Sequence, residues 1–371
     1  MGISIRSGRP IYLGNGQGDF QENATMKQLG KFSQWLPDMD LEFDAHDEPR
    51  VAVPHDDLHE LITKGQAAQY RLNKSRSLSN NYSDIKIESP ILEYFKSRFI
   101  DLELQETWLY SRLSCPLDSP ARSLDGNAPD NTSAFAMQPL GFVCNQTAFS
   151  YICSSPSLRH QLGLFEYPNA LKITNELVPI FSMSRPSSFQ DIPFPSPYYY
   201  EGLSDFDTRA LENSTCSIDG EGEWTLRQEK DPELSDYFNA HFVDIVNCGE
   251  DCDGEKAYFN TVDRDEPAEA WNKSVPLKLT FFREWHENIL TPWVHYVPLN
   301  KDGDEIPEIV CFFEQDPAGQ KIARDIGEGG QLWANKAIRN DDMDVYMFRL
   351  MLEYARVQDD DREYLGFRPL E

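Results

Sequence analysis

At 371 residues the chain exceeds what one typical hydrophobic core supports, so two domains or one large α/β unit are expected. Its 40% apolar and 12% aromatic content is enough to build sizeable cores and excludes wholesale disorder. With 34 basic against 62 acidic residues the formal charge is −28, which repels nucleic-acid backbones and anionic membrane surfaces and argues against either as a partner.

In chain order, Ile3-Ser4-Ile5-Arg6 alternates like a strand and leads into Gly14-Asn15-Gly16-Gln17-Gly18. That stretch reads as turn-rich, not as a phosphate cradle, because its glycines open onto a polar segment and not directly onto a helix. Met39 to Ala45 reads as a short buried strand that ends at a His46-Asp47-Glu48-Pro49 turn. This places a polar cluster at a strand's carboxyl end, where α/β sheets hold ligands. His55 and His59 stand four apart, sharing a helix face as in a zinc peptidase, but the glutamate that follows the first histidine in that motif is absent. A solvated first helical turn after Pro54 is the reading preferred.

Residues 71–90 and 115–133 read as exposed loops, and Ile91 to Ser111 as a helix through Leu92, Phe95, Phe99, Leu102 and Leu109. Val178 to Ser182 is a strand, followed by a proline- and aromatic-rich run from Ile192 to Tyr200. The acidic, weakly patterned residues 201–235 hold the expected boundary between domains 1–205 and 206–371. Leu277 to Thr280 and Thr291 to Leu299 read as strands; Pro317 to Asn335 and Asp341 to Arg356 read as helices.

The 7 cysteines are too scattered for a zinc framework, and their odd number fits a reducing cytosol or a lumenal protein with one or two disulfides plus free thiols. Asn23, Asn73, Asn81, Asn131, Asn145, Asn213 and Asn272 each open an Asn-x-Ser/Thr triplet, against about two expected by chance. Those sequons favour the secretory pathway. No stretch approaches the about 20 apolar residues of a membrane span, and the start lacks an apolar signal core, so a targeting segment upstream of Met1 is expected.

Two acidic patterns could carry chemistry. Asp38-Met39-Asp40 has the Asp-x-Asp spacing with which many sugar transferases hold a divalent cation, although a carboxylate after proline also turns or caps a chain. Asp47, between His46 and Glu48, could be raised toward useful basicity by its like-charged neighbour, or could simply pair with Arg50.

Several ordered segments together resemble one family. Leu36 to Leu41 with His46 to Val51, Cys115-Pro116 with Ser119 to Arg122, Val178 to Arg185 with Asp191 to Pro197, Phe282 to His286, Pro292 to Pro298, Ile322-Ala323, Trp333-Ala334 and Leu352 to Ala355 resemble the capsule-associated-protein glycosyltransferases. That family includes Rumi-like protein O-glucosyltransferases and fungal xylosyltransferases, and the loop at Cys115 resembles the fungal-type branch. The resemblance implies an α/β, GT-B-like fold of two Rossmann-like domains facing a cleft, the second incomplete. It implies inverting transfer of glucose or xylose from a UDP-sugar to a glycan or protein hydroxyl in the Golgi or ER lumen, with no metal or other cofactor. Asp47 matches the general base, and Ser182, Ser184, Arg185 and His295 fall in segments expected to bind substrate.

Two segments depart from the pattern: no Trp-Arg-Gly follows Tyr200, and no Ser-Gly-Arg-Phe-like run precedes Lys278. Forked arginine contacts to diphosphate are hard to replace, leaving Arg227 or Lys278 as substitutes. A non-catalytic relative that binds glycan or protein is therefore the alternative, with a zinc metallopeptidase built on His55 and His59 as a remote third.

Overall fold

The structure is a computed structural model that describes residues 1–14, 20–45, 49–72, 100–101, 111–123, 128–131, 133, 135–137, 142–160, 172–197, 275–301, 303 and 305–358. β1 (Gly2–Arg6) and β2 (Arg9–Tyr12) form a hairpin across Ser7 and Gly8, whose φ angles of 47° and 76° give the two-residue turn that suits strand twist. Glycine is needed at position 8 for that φ and for space, since an added Cβ would stand 3.0 Å from Gln34 Cα. The turn dipeptide Ser7-Gly8 is a legible signal that the sequence reading passed over in favour of the later glycines.

The Asp38-Met39-Asp40 pattern holds this hairpin. Asp38 Oδ1 accepts the Ser7 N–H at 2.7 Å, and Asp40 Oδ1 accepts from Ser4 Oγ and Arg6 Nη2.

α1 (Phe20–Gly30) precedes β3 (Met39–Phe43), which alternates with Met39, Leu41 and Phe43 buried and Asp40 and Glu42 outward. α2 (His55–Leu72) follows, beginning at His55 directly after Pro54 as expected. Four short strands come next: β4 (Ile100–Asp101), β5 (Ala136–Met137), β6 (Phe142–Val143) and β7 (Lys172–Ile173), with β4 pairing β7 and β5 pairing β6, both antiparallel. Residues 100–101 therefore depart from the helix expected over 91–111. Their apolar spacing was ambiguous in period, and a distant partner strand decided it. The rest of that segment from 91 to 110 lies outside the described residues.

α3 (Gln146–Phe149) is a single turn capped by Asn145, whose Oδ1 accepts the Ala148 N–H. β8 (Ile180–Ser182) and β9 (Ile192–Pro193) complete the main sheet, whose order is β2-β1-β3-β8-β9. β3, β8 and β9 run parallel while the hairpin is antiparallel, so the sheet is mixed. The chain is a mixed α/β protein. The boundary expected near 205 falls outside the described residues.

In the second half, β10 (Leu277–Lys278) and β11 (Val297–Pro298) pair in parallel, and α4 (Ile306–Gln315) and α5 (Pro317–Ala337) pack on them through Val297, Leu299, Ile309 and Ile326. The strand expected over 291–299 shrinks to its last part. Trp293, at φ 61°, forms a tight turn in which Thr291 O accepts the Val294 and His295 N–H groups, so the chain cannot run extended there.

α6 (Asn340–Gln358) returns to the first sheet. Its Met347 and Met351, spaced i,i+4, are fully buried among Ile3, Ile5, Leu41, Phe43 and Phe181, and each is worth about 1.5–3 kcal/mol of burial. Phe348 meets Phe32 with ring centroids 5.4 Å apart, and Lys31 pairs with Asp344 at 2.9 Å.

A separate cluster packs Phe135, Val143, Phe149, Ile152 and Leu158 around a Cys115–Cys153 disulfide, with Phe281 reaching in from the second half. Cys115 and Ala121 are wholly buried, which corrects the expectation of an exposed loop over 115–133 at those positions. Cys144 and Cys311 are free thiols.

Candidate active site

Beyond β3 and β8 a buried polar network forms where the parallel strands end. Asp44 and Arg50 make a buried ion pair, Arg50 Nε lying 3.0 and 3.2 Å from the two carboxylate oxygens. Arg50 thus engages Asp44, the carboxylate just after β3, while the pairing expected between Asp47 and Arg50 involves a residue outside the described ones. Asp47, the expected base, lies outside the described residues with His46 and Glu48, between two chain ends that this pair ties together.

Asp191, 2% exposed, accepts four contacts of different origin. Its Oδ1 takes the Arg50 N–H at 2.9 Å and Ser182 Oγ–H at 2.7 Å, and Oδ2 takes the Val51 N–H at 2.9 Å, with a further hydrogen bond from its own backbone. Burial pushes its carboxyl above the usual carboxylate range, and these hydrogen bonds pull it back. The network knits β8, β9 and the segment after β3 into one unit. Ser182 is spent on it: the side chain expected to touch substrate is buried and donates to Asp191.

Ser184 and Arg185 follow on the chain leaving β8, both half-buried. The Arg185 backbone forms an isolated antiparallel bridge with Arg283, through N–H to carbonyl bonds of 3.0 and 2.7 Å, so the first-half sheet is stitched to the second-half segment here. Arg185 Nη1 donates to the Phe189 carbonyl. Its guanidinium is held below the ordinary arginine value by burial first and by Arg283 second, while Asp191 and Glu287 oppose this.

Around this seam gather Lys278, expected as a substitute for the missing arginines, and groups that sequence reasoning did not select. Glu287 is pushed up by burial, and Arg283, Lys278 and Arg185 all pull it down, so these three cations share its field. Arg283 Nε lies 3.8 Å from Glu287 Oε2. Lys278 Nζ stands 5.4 Å above the Tyr296 ring, and burial, followed by Glu287, pushes the Tyr296 phenol up to about 12. Trp285 packs against Tyr346 with ring centroids 5.2 Å apart and the planes tilted by 57°. Buried Arg185 Nε, Arg283 Nε and Trp285 Nε1 have no hydrogen-bond acceptor among the described residues, and all three are donors. The signal was present in Phe282-Arg283-Glu284-Trp285-His286, a segment noticed for its pattern but not for its side chains.

His286 is held down to about 4, by burial first and by Lys278 second. Its folded value lies below the unfolded one, so between about pH 6.5 and about pH 4 the unfolded chain binds the extra proton. The stability it contributes is complete above that window and is lost as pH falls through it, by up to about 3 kcal/mol. Urea unfolding at about pH 7 and about pH 4.5 should show this loss, and His286→Gln should flatten it. A slope unchanged in the variant would remove His286 as its source.

His295 sits apart, in the turn between Thr291 and Tyr296. Its Nδ1 accepts the Thr291 N–H at 3.0 Å, so the neutral ring carries its proton on Nε2, and it packs 5.1 Å from Trp333. Burial holds its pKa below the ordinary histidine value. Gly330 of α5 lets the helix approach this turn: a Cβ there would stand 2.9 Å from the His295 carbonyl oxygen. Among the described residues no hydrogen bond, ion pair or ring contact joins His295 to Arg185. His55 Nδ1 faces Asp56 at 3.3 Å on α2, and among the described residues no three metal-binding side chains converge.

Comparison with known proteins bears on the second half above all. The glycosyl transferase family 90 model matches residues 273–363. Human protein O-glucosyltransferase 1 is 24% identical over 252 residues, covering 54% of this chain and 63% of the relative. The rat protein of the same name is 23% identical over the same shares, and the bovine one is 32% identical over 76 residues, covering 20% of this chain and 19% of the relative. The chain thus spans less than two thirds of the length of these curated relatives. Lys278, Arg283, Glu287 and His295 all fall inside the stretch that matches glycosyl transferase family 90, and it is with protein O-glucosyltransferases that this chain shows similarity.

Proposed function

We propose that this chain is a glycosyltransferase of the GT-B type that moves glucose or xylose from a UDP-sugar to a glycan or protein hydroxyl with inversion. The observation that carries the reading is the seam itself. Arg185, Lys278 and Arg283 all act on Glu287 in a chain of charge −28, and Arg185 Nε, Arg283 Nε and Trp285 Nε1 are buried donors with no acceptor among the described residues, inside or bridged to the family 90 segment. Such donors suit a diphosphate, whose charge they neutralise as the leaving group departs, with no divalent metal needed in this reading.

In that reaction the acceptor oxygen forms a bond to the anomeric carbon while the bond from that carbon to the β-phosphate oxygen breaks, its electrons leaving with UDP. The acceptor proton passes to Asp47. Asp191, itself held by Ser182, anchors the Arg50 and Val51 amides that follow Asp47 in the chain; Arg185 and Ser184 are assigned to the substrate approach, and His295 is assigned to offer its Nε2–H to sugar hydroxyls. The Golgi or ER lumen fits the sequons and the Cys115–Cys153 disulfide. The fungal-type branch rests on the loop at Cys115, where Arg122 Nη1 donates to the Leu113 and Cys115 carbonyls beside the disulfide.

One departure favours a second reading. The stretch Asp265 to Trp271, outside the described residues, lacks the arginine expected before Lys278, as would suit a relative that only binds glycan or protein. Calorimetric titration with UDP-glucose and UDP-xylose separates the two. Saturable binding followed by sugar transfer to an acceptor is expected. Silence at millimolar nucleotide would end the transferase reading, and binding of glycan alone would establish the second.

A further inference from the structure

Asn131, Asn145 and Asn23 are the sequon asparagines among the described residues, and all three are exposed. Their surroundings differ. Asn23 lies within α1, and Asn145 uses its carbonyl oxygen to cap α3. Asn131 stands on a loop tied down at Asp130 and at its own backbone N–H, while its side chain is left at the surface.

The anchoring is specific. The Asn131 N–H donates to the carbonyl of Ser154, the residue after disulfide-bonded Cys153, at 2.8 Å. Neighbouring Asp130 accepts the Ser157 N–H at 3.1 Å and the Ser157 hydroxyl at 2.6 Å, and pairs with Lys301 at 3.6 Å. The hydroxyl of Ser133, the third sequon residue, donates to Asn131 Oδ1 at 3.0 Å. Among the described residues the Asn131 amide nitrogen has no acceptor of its own, so a substituent on it removes no hydrogen bond of the fold. The loop is tied to a disulfide of the kind formed in oxidising compartments, which are also those where sequons are glycosylated.

We propose that Asn131 carries an N-linked glycan. Its Nδ2 forms a bond to the anomeric carbon of a lipid-linked oligosaccharide diphosphate, whose carbon–oxygen bond to phosphate breaks. The lipid diphosphate leaves with the electron pair, and the displaced amide proton goes to a base of the transferring enzyme. This inference needs only passage through a glycosylating compartment and does not depend on the transferase reading.

The test is peptide mapping by mass spectrometry of the full chain from its native cells, before and after enzymatic release of N-glycans. The peptide containing Asn131 is expected to carry hexose and N-acetylhexosamine, and release should convert Asn131 to aspartate. Asn131→Gln and Ser133→Ala, passed through the secretory pathway of a eukaryotic host, should each lose the mass of one glycan. An unmodified Asn131 peptide in the native chain, or a glycan retained in Ser133→Ala, would overturn the proposal. The native-chain map decides the matter even if a variant is not secreted.

Discussion

Asp191→Ala should lower the free energy of unfolding by about 5 kcal/mol, read from the urea midpoint at constant m-value. Three donors from other residues converge on this buried carboxylate: the Ser182 hydroxyl and the Arg50 and Val51 N–H groups. Alanine would strand all three where water does not reach, and each stranded donor costs about 1–3 kcal/mol. The three stranded donors by themselves account for a cost of this size. Asp191→Asn should fall between alanine and the native chain, since it keeps one acceptor but sets an amide donor against an N–H. A loss below about 1 kcal/mol in the alanine variant would mean that the network does not hold the sheet to the segment after β3.

Arg283→Ala should weaken UDP-sugar binding about a thousandfold, or about 4 kcal/mol, while leaving the ligand-free protein about as stable as before. Forked guanidinium contacts to phosphate are among the strongest hydrogen bonds a protein makes, and Arg283 lies beside Arg185 with no hydrogen-bond acceptor for its Nε among the described residues, Glu287 standing 3.8 Å away. Arg185 and Arg283 repel each other, and Glu287, 3.8 Å from Arg283 Nε, offsets that repulsion, so removing Arg283 gives up one term as it relieves the other and the ligand-free stability changes little. The backbone bridge between 185 and 283 survives the change because it uses no side-chain atom. Arg283→Lys should recover only part of the affinity, since a point charge lacks the fork. Equal nucleotide affinity in the alanine variant would place the diphosphate elsewhere. A large drop in thermal stability would recast Arg283 as a structural residue.

The strongly periodic segments were legible. The helices at Pro317–Ala337 and Asn340–Gln358 and the strand at Met39–Phe43 follow their apolar spacing closely, because each buries one face and exposes the other, and the strand at Gly2–Arg6 keeps its alternation although Ser4 is buried along with Ile3 and Ile5. Where both faces meet protein, or where a partner lies far along the chain, local pattern failed: Ile100–Asp101 became a strand through β7, and Thr291 to Tyr296 became a turn. The candidate site divides in the same way. Arg185 follows from the family pattern, while Arg283 lies in the Phe282 to His286 segment that carries only the resemblance, Glu287 falls just beyond it, and Ser182 serves Asp191.

By itself the sequence determined the charge, the sequons, the amphipathic elements and the likeness to a transferase family, all of which depend on residue identity and short-range spacing. Only the tertiary structure decided that Arg50 engages Asp44, that Cys115 pairs with Cys153, and that the backbones of two arginines far apart in the chain meet across one seam. Those outcomes depend on which buried groups find partners once distant segments pack, and the cost of leaving a buried polar group unpaired is set in three dimensions.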